Sequence, residues 1–173
     1  MPSTSPDSDA PAVAVEQVAD ESGLGPLAGR LVAALPRPAF LTLSGDLGAG
    51  KTTFVKVVAA AVGIDPGDVL SPTFGLIHEY PTPQQEGVPP RIVHADLYRL
   101  TGPSDLAETG WDDAAGGDAW VFVEWPERMA EALPAERIEI AIGIESPTAR
   151  RFTFTGFGRT HRAAVASLKQ PPP

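Results

Sequence analysis

Cysteine is absent from this chain of 173 residues, which excludes disulfides and thiolate metal sites alike. Lysine is scarce: Lys51, Lys56 and Lys169 are the three present. None of them stands in an Asn-Lys-x-Asp segment, so guanine recognition of the small-GTPase kind is excluded and ATP is the default nucleotide. Positive charge is short overall, with 13 basic against 22 acidic residues and a net charge of −9. Affinity for nucleic acid is dominated by Lys and Arg neutralising phosphates, so a broad DNA- or RNA-binding surface is not expected. No apolar run approaches membrane-spanning length. The acidic start lacks the charged and apolar regions of a signal peptide, and a cytoplasmic location is the expectation. No second histidine falls at metal-ligand spacing beside His94, which speaks against a His-built metal site.

What is present is an ordinary globular composition, 43% hydrophobic and 20% charged. The length suits one domain with a real core. Several of the 19 prolines mark the ends of the chain. Residues 1–11 and 169–173 are therefore expected to be disordered tails around a domain spanning 12–168.

Inside that domain, Gly45-Asp46-Leu47-Gly48-Ala49-Gly50-Lys51-Thr52 fits the phosphate-cradling pattern G-x-x-x-x-G-K-[ST]. Its surroundings are right for one. Residues 39–44 read as a short buried strand. Phe54, Val57, Val58, Ala61 and Val62 then recur at the spacing of a helix with one buried face. A strand, a glycine-rich turn and a helix N-terminus make an anion site, in which backbone N–H groups converge on phosphate oxygens and the helix dipole adds partial positive charge. Lys51 is placed to reach the β/γ-phosphates, and the Thr52 hydroxyl to ligate Mg²⁺.

Elsewhere, residues 12–18 read as a first strand and 24–35 as an amphipathic helix closed by Pro36. Residues 74–80 and 91–96 read as strands that a Pro/Gln/Gly-rich loop would pair antiparallel. A short helix is expected around 104–108, an apolar strand at 119–123 and a helix from Pro126 to Leu133. Strands at 138–144 and 152–157 form a second hairpin, with a last helix over 160–168. The whole predicts an α/β fold of P-loop NTPase type. Its sheet is mixed but mostly parallel, flanked by helices and edged by antiparallel hairpins.

A phosphate loop needs a carboxylate across from it to help hold Mg²⁺. Glu124 and Asp96 both end apolar strands, where open α/β sheets bind ligands. Either is alternatively a capping or salt-bridging carboxylate. His94, Asp96 and Tyr98 alternate and so are expected on one face. His94 reads as a proton carrier, as a group orienting Asp96, or as a hydrogen-bonded structural histidine. Ser71-Pro72-Thr73-Phe74 lies where nucleotide switches place a Ser/Thr, though it also reads as a common turn. Trp125 reads either as a packing residue or as one at the rim of the nucleotide site that covers it or touches a partner. Arg150, Arg151, Arg159 and Arg162 form either a local basic patch or part of a mixed, solvated surface.

Four motifs in series go beyond generic nucleotide binding: residues 45–54, then 71–74, then His94-Ala95-Asp96-Leu97-Tyr98-Arg99, then Val123-Glu124-Trp125-Pro126. Their order and spacing over about residues 24–158 resemble the bacterial TsaE (YjeE) family, the ATPase component of tRNA threonylcarbamoyladenosine biosynthesis. The resemblance implies ATP and Mg²⁺ as cofactors and TsaD-like and TsaB-like proteins as partners. Those partners transfer threonylcarbamoyl to adenosine 37 of tRNAs reading codons that begin with A. A TsaE-like protein would support their turnover by ATP hydrolysis, reaching tRNA only through the complex. It further implies that Lys51 and the backbone from Gly45 through Thr53 hold phosphates, and that Thr52 and Glu124, with Asp96 near the γ-phosphate, hold the metal. Thr73 would act in a switch, Trp125 would flank the metal site, and Arg150, rather than its neighbour Arg151, would face the nucleotide. Where the family often carries a polar residue near the adenine, this chain has Leu24.

Two other classes compete with a partner-dependent ATPase. A small-molecule kinase would use Asp96 as base and residues 101–118 as a lid, although that segment has no arginine-rich stretch. A non-catalytic nucleotide sensor is disfavoured by the intact Lys51, Thr52 and Glu124, and would be favoured if Glu124→Gln left cellular function untouched.

Overall fold

The computed structural model describes residues 10–72 and 76–169. Seven strands form one sheet: β1 (Ala12–Val18), β2 (Ala39–Ser44), β3 (Ile77–Pro81), β4 (Arg91–Asp96), β5 (Trp120–Glu124), β6 (Arg137–Ile144) and β7 (Arg150–Phe157). Their order across the sheet is β1-β7-β6-β2-β5-β4-β3. The central strands β6, β2, β5 and β4 run parallel, while β1–β7, β6–β7 and β3–β4 are antiparallel. The two expected hairpins are present, β3–β4 at one edge, but β6–β7 lies inside the opposite edge, which β1 occupies. The sheet is evenly mixed rather than mostly parallel, because β1 turns back on β7 and adds an antiparallel pairing that no local pattern announces.

Among the described residues five α-helices flank it: α1 (Leu24–Ala34), α2 (Lys51–Ala61), α3 (Pro103–Ala107), α4 (Trp111–Ala115) and α5 (Arg159–Ser167). On one face, Leu27 and Leu31 of α1, Phe54 and Val58 of α2 and Val165 of α5 pack against Leu41, Leu43, Phe122, Ile140, Phe152 and Phe154. On the other, Leu106 and Trp111 of α3 and α4, with Met129, cover Val93, Ala95, Val121 and Val123. Strand β5 is buried along its whole length for this reason. Trp120 and Phe122 serve the first core, Val121 and Val123 the second. The Trp120 indole N–H donates to the Pro36 carbonyl at 2.8 Å, which satisfies the one polar atom on that ring.

Details depart from the expected pattern. Helix α2 buries Val55 and Ala59 while Ala61 is exposed, since α2 is wedged between the sheet and α1 and needs a broader apolar stripe. Residues 126–132 form a 3-10 helix kinked at Met129 rather than an α-helix. Helix α4 was not expected, five residues being too short for periodicity to show. The segment proposed as a kinase lid is anchored instead, with Leu106, Trp111 and Ala114 buried in the second core. Readings for residues 1–9, 73–75 and 170–173, Thr73 among them, fall outside the described residues.

Candidate nucleotide site

The site is built where β2 ends and α2 begins. Gly45 has φ +148, and a Cβ there would lie 2.5 Å from the Ile142 carbonyl oxygen of β6, so only glycine lets the loop turn so close to the sheet. Gly50 caps α2 with φ 99, and no side chain caps the helix. The first-turn N–H groups, which lack intrahelical acceptors, are left facing the loop mouth together with the positive end of the dipole.

Lys51, the first residue of α2, is largely buried at 6% exposure. Its ammonium donates to the carbonyls of Gly45 at 2.7 Å and Asp46 at 3.1 Å and lies 4.3 Å from the centre of the Trp125 ring. Trp125 reaches that place through a left-handed backbone (φ 59, ψ 53) directly after β5. Such a conformation costs a large side chain of order 1–3 kcal/mol and persists where its surroundings hold it. Tyr98 supports the indole from outside, with ring centroids 5.0 Å apart.

Across from the loop, the β4–β5 register sets Asp96 beside Glu124 and His94 beside Phe122. Both carboxylates are buried, at 5% and 3% exposure. Thr52 donates its hydroxyl hydrogen to Glu124 Oε1 at 2.7 Å, and His94 Nε2 lies 2.7 Å from the same oxygen. His94 thus meets Glu124 and not Asp96. Asp96 Oδ1 accepts from the Tyr98 amide at 3.0 Å, a local turn that ends β4. That turn takes Tyr98 off the strand and exposes it, so the expected common face holds for His94 and Asp96 alone. Ser71 is exposed and Pro72 buried, and the Pro72 carbonyl accepts from Leu76 N at 2.6 Å.

Arg150 and Arg151 diverge because neighbouring strand residues point to opposite faces. Arg150 Nε donates to the Ala49 carbonyl at 3.1 Å, and its guanidinium also reaches the carbonyls of Gly48, Ser146 and Ala149. Arg151 instead pairs with Glu145 at 2.7 Å. Arg159 and Arg162 begin α5 at the far end of β7, roughly 20 Å away at ~3.3 Å per strand residue. The four arginines do not form one patch.

Beside the loop lies a cleft of about 490 Å³ lined by Asp20, Leu24, Gly48, Thr53, Thr148 and Phe152, among others. Asp20 and Thr148 carried no signal in the sequence. They meet because Val18 of β1 pairs with Arg150 of β7, which brings the turn after β1 against the hairpin loop before β7. Leu47, at the loop tip, is 82% exposed.

The donor set suits magnesium. The ion takes oxygen ligands, keeps several waters and is bound by one or two carboxylates plus phosphates. A hydroxyl and a carboxylate already joined by a hydrogen bond supply that, and no cluster of three or more His, Cys, Asp or Glu able to hold a metal without phosphates is found among the described residues. No described helix is long and apolar enough to cross a membrane.

The family model for the threonylcarbamoyl adenosine biosynthesis protein TsaE matches residues 18–152. The tRNA threonylcarbamoyladenosine biosynthesis protein TsaE of Bacillus subtilis (strain 168) is 39% identical over 142 residues, 82% of this chain and 85% of that protein. Its counterpart of the same name in Streptomyces coelicolor is 37% identical over 145 residues, 81% of this chain and 95% of that protein. Among solved structures, the crystal structure of Bacillus subtilis YdiB is similar with a TM-score of 0.67 and 33% identity, covering 91% of this chain and 95% of that one.

Proposed function

The chain belongs to the TsaE family of threonylcarbamoyl adenosine biosynthesis proteins, and from that premise we propose that it is a Mg²⁺-dependent ATPase that sustains a TsaB–TsaD assembly in modifying tRNA. The observation that carries the reading is the convergence of Thr52 and Glu124 through a 2.7 Å hydrogen bond at the mouth of the Gly45–Gly50 loop, beside Lys51. These are the groups phosphoryl transfer needs from a protein that does little covalent chemistry itself.

When bound, Mg·ATP would supply a γ-phosphoryl group for transfer to water, with ADP as the leaving group. Lys51 and the loop amides hold phosphate oxygens, while Thr52 and Glu124 hold the metal. Asp96, buried next to Glu124, is the group to orient the attacking water, and Thr73 the residue to sense the terminal phosphate. Arg150 braces the loop from the nucleoside side, and the cleft between Leu24 and Phe152 takes the base and sugar. Trp125 shields Lys51 from water on the opposite side. The protein works in the cytoplasm and meets tRNA only through its partners, in keeping with its net charge of −9.

Hydrolysis by the isolated chain is slow, because a lone phosphate loop leaves the charge of the transition state poorly compensated. The test is ATP turnover by the chain alone and with TsaB and TsaD, with Lys51→Ala as control. Turnover that is slow alone, rises with the partners and vanishes in the control supports the proposal. Turnover indifferent to the partners rejects it.

A further inference from the structure

His94 is wholly buried, at 0% exposure, on strand β4, between β5 and the edge strand β3. One ring nitrogen, Nε2, is 2.7 Å from Glu124 Oε1, while the other, Nδ1, is buried without a hydrogen-bond partner among the described residues. As a core residue this is a poor choice. An apolar side chain would fill the place without leaving a buried polar atom unpaired, at a cost of about 1–3 kcal/mol. The compensation is the bond to Glu124. A carboxylate oxygen accepts, so Nε2 is the ring nitrogen that carries the hydrogen donated to Glu124.

Two donors therefore converge on one oxygen of Glu124, the Thr52 hydroxyl and the His94 imidazole. The carboxylate is pinned from a strand that does not carry it. With its hydrogen committed to Glu124, Thr52 turns its lone pairs toward the loop mouth, the orientation a hydroxyl needs to ligate a cation. We infer that His94 is a positioning residue that holds Glu124, and through it Thr52, in the geometry that receives the metal of a metal–nucleoside triphosphate. The inference rests on the proposed nucleotide binding but makes a separate claim, that removing the imidazole N–H weakens the metal-dependent part of binding and leaves the rest.

Calorimetric titration of ATP with Mg²⁺ and again with EDTA, on wild type, His94→Leu, His94→Gln and Lys51→Ala, tests this. Groups that orient metal ligands are typically worth 10–100-fold in metal affinity, so His94→Leu should lose at least ~10-fold of the Mg²⁺-dependent gain while EDTA binding stays within about twofold. His94→Gln, whose amide N–H can reach the same oxygen, should stay within ~3-fold of wild type. Equal losses with and without Mg²⁺, or no loss in either, would overturn the inference. Nitrogen-15 spectra of wild-type His94 provide a second measurement that requires no variant and no nucleotide. An Nε2–H tautomer supports the role, and an Nδ1–H tautomer overturns it. If instead Lys51→Ala binds ATP as well as wild type, the nucleotide reading has failed, and the tautomer still decides whether His94 holds Glu124.

Discussion

At the scale of single residues, the site separates groups of similar chemistry by where the fold points them. Arg150 and Arg151 are neighbours, but one guanidinium is bonded to the carbonyls of the phosphate loop and the other to Glu145 at the surface. Hydrogen bonds to charged groups contribute about 1.5–3 kcal/mol, so Arg150→Ala should weaken ATP binding roughly 10-fold or more. Arg151→Ala should change it by less than about fivefold, since exposed ion pairs are worth at most ~1 kcal/mol. A reversed ranking in the same titration would reject the assignment. Glu124→Gln keeps the shape of the side chain and an acceptor for Thr52 but removes its charge. Turnover should fall by ~10²-fold with a raised Mg²⁺ requirement, as expected when preorganised charge is lost from a dry site. A Mg²⁺ titration of turnover reads both effects. That a carboxylate ending an apolar strand would lie across from the loop was legible, with Glu124 and Asp96 both open to the place. That His94 would bond Glu124 was not, because alternation along a strand says which face a side chain takes but not which neighbour it meets.

At the scale of elements, α2 links the site to the core. Phe54, one turn into the helix, has no exposed surface and packs 4.9 Å from Phe152 and 6.4 Å from Phe154 between ring centroids. Phe54→Ala should destabilise the fold by about 3–5 kcal/mol in denaturant unfolding, the usual cost of emptying a buried aromatic position. A loss below ~1 kcal/mol would mean that the helix is not seated as described. Helix α5 makes a different prediction. Burial of His161 pushes its imidazole below the ordinary value of 6.5, against a smaller opposing pull from Glu136. The folded state then binds fewer protons than the unfolded state. The stability this represents is complete above about pH 6.5 and is lost as pH falls through the depressed folded-state value. Removing His161 should therefore flatten the acid side of the profile. His161→Gln should lose less stability than wild type between pH 7 and 5, the difference approaching at most ~1.4 kcal/mol per pH unit. Parallel slopes in the two proteins would reject it. The expected patterns located α5 and α2 because each repeats an apolar face over several turns. They passed over α4, whose five residues bury Trp111 and Ala114 through tertiary packing alone.

At the scale of the whole molecule, the net charge of −9 and the phosphate-loop motif favour the proposed reading, a protein that grips nucleotide and partners rather than nucleic acid. The isolated chain should show no tRNA binding tighter than the non-specific range at physiological salt, about 10⁻⁴–10⁻⁶ M, in a filter assay. Retention should appear only when the partner proteins are added. Tight, salt-sensitive binding by the chain alone would contradict this division of labour.

What the sequence determined by itself was built from contiguous residues whose pattern runs over a whole strand or several helical turns. The strand, glycine turn and helix of residues 39–61 are local, each step constraining the next, and the same holds for the two hairpins. Tertiary structure alone decided how distant segments meet. Thr52 and Glu124 stand 72 positions apart, Arg150 and the Ala49 carbonyl 101 apart, and the cleft beside the loop exists because the first strand pairs with the last. Those meetings depend on strand order and register. Both are set by which apolar faces can be buried together across the whole sheet, a balance that no single stretch of sequence contains.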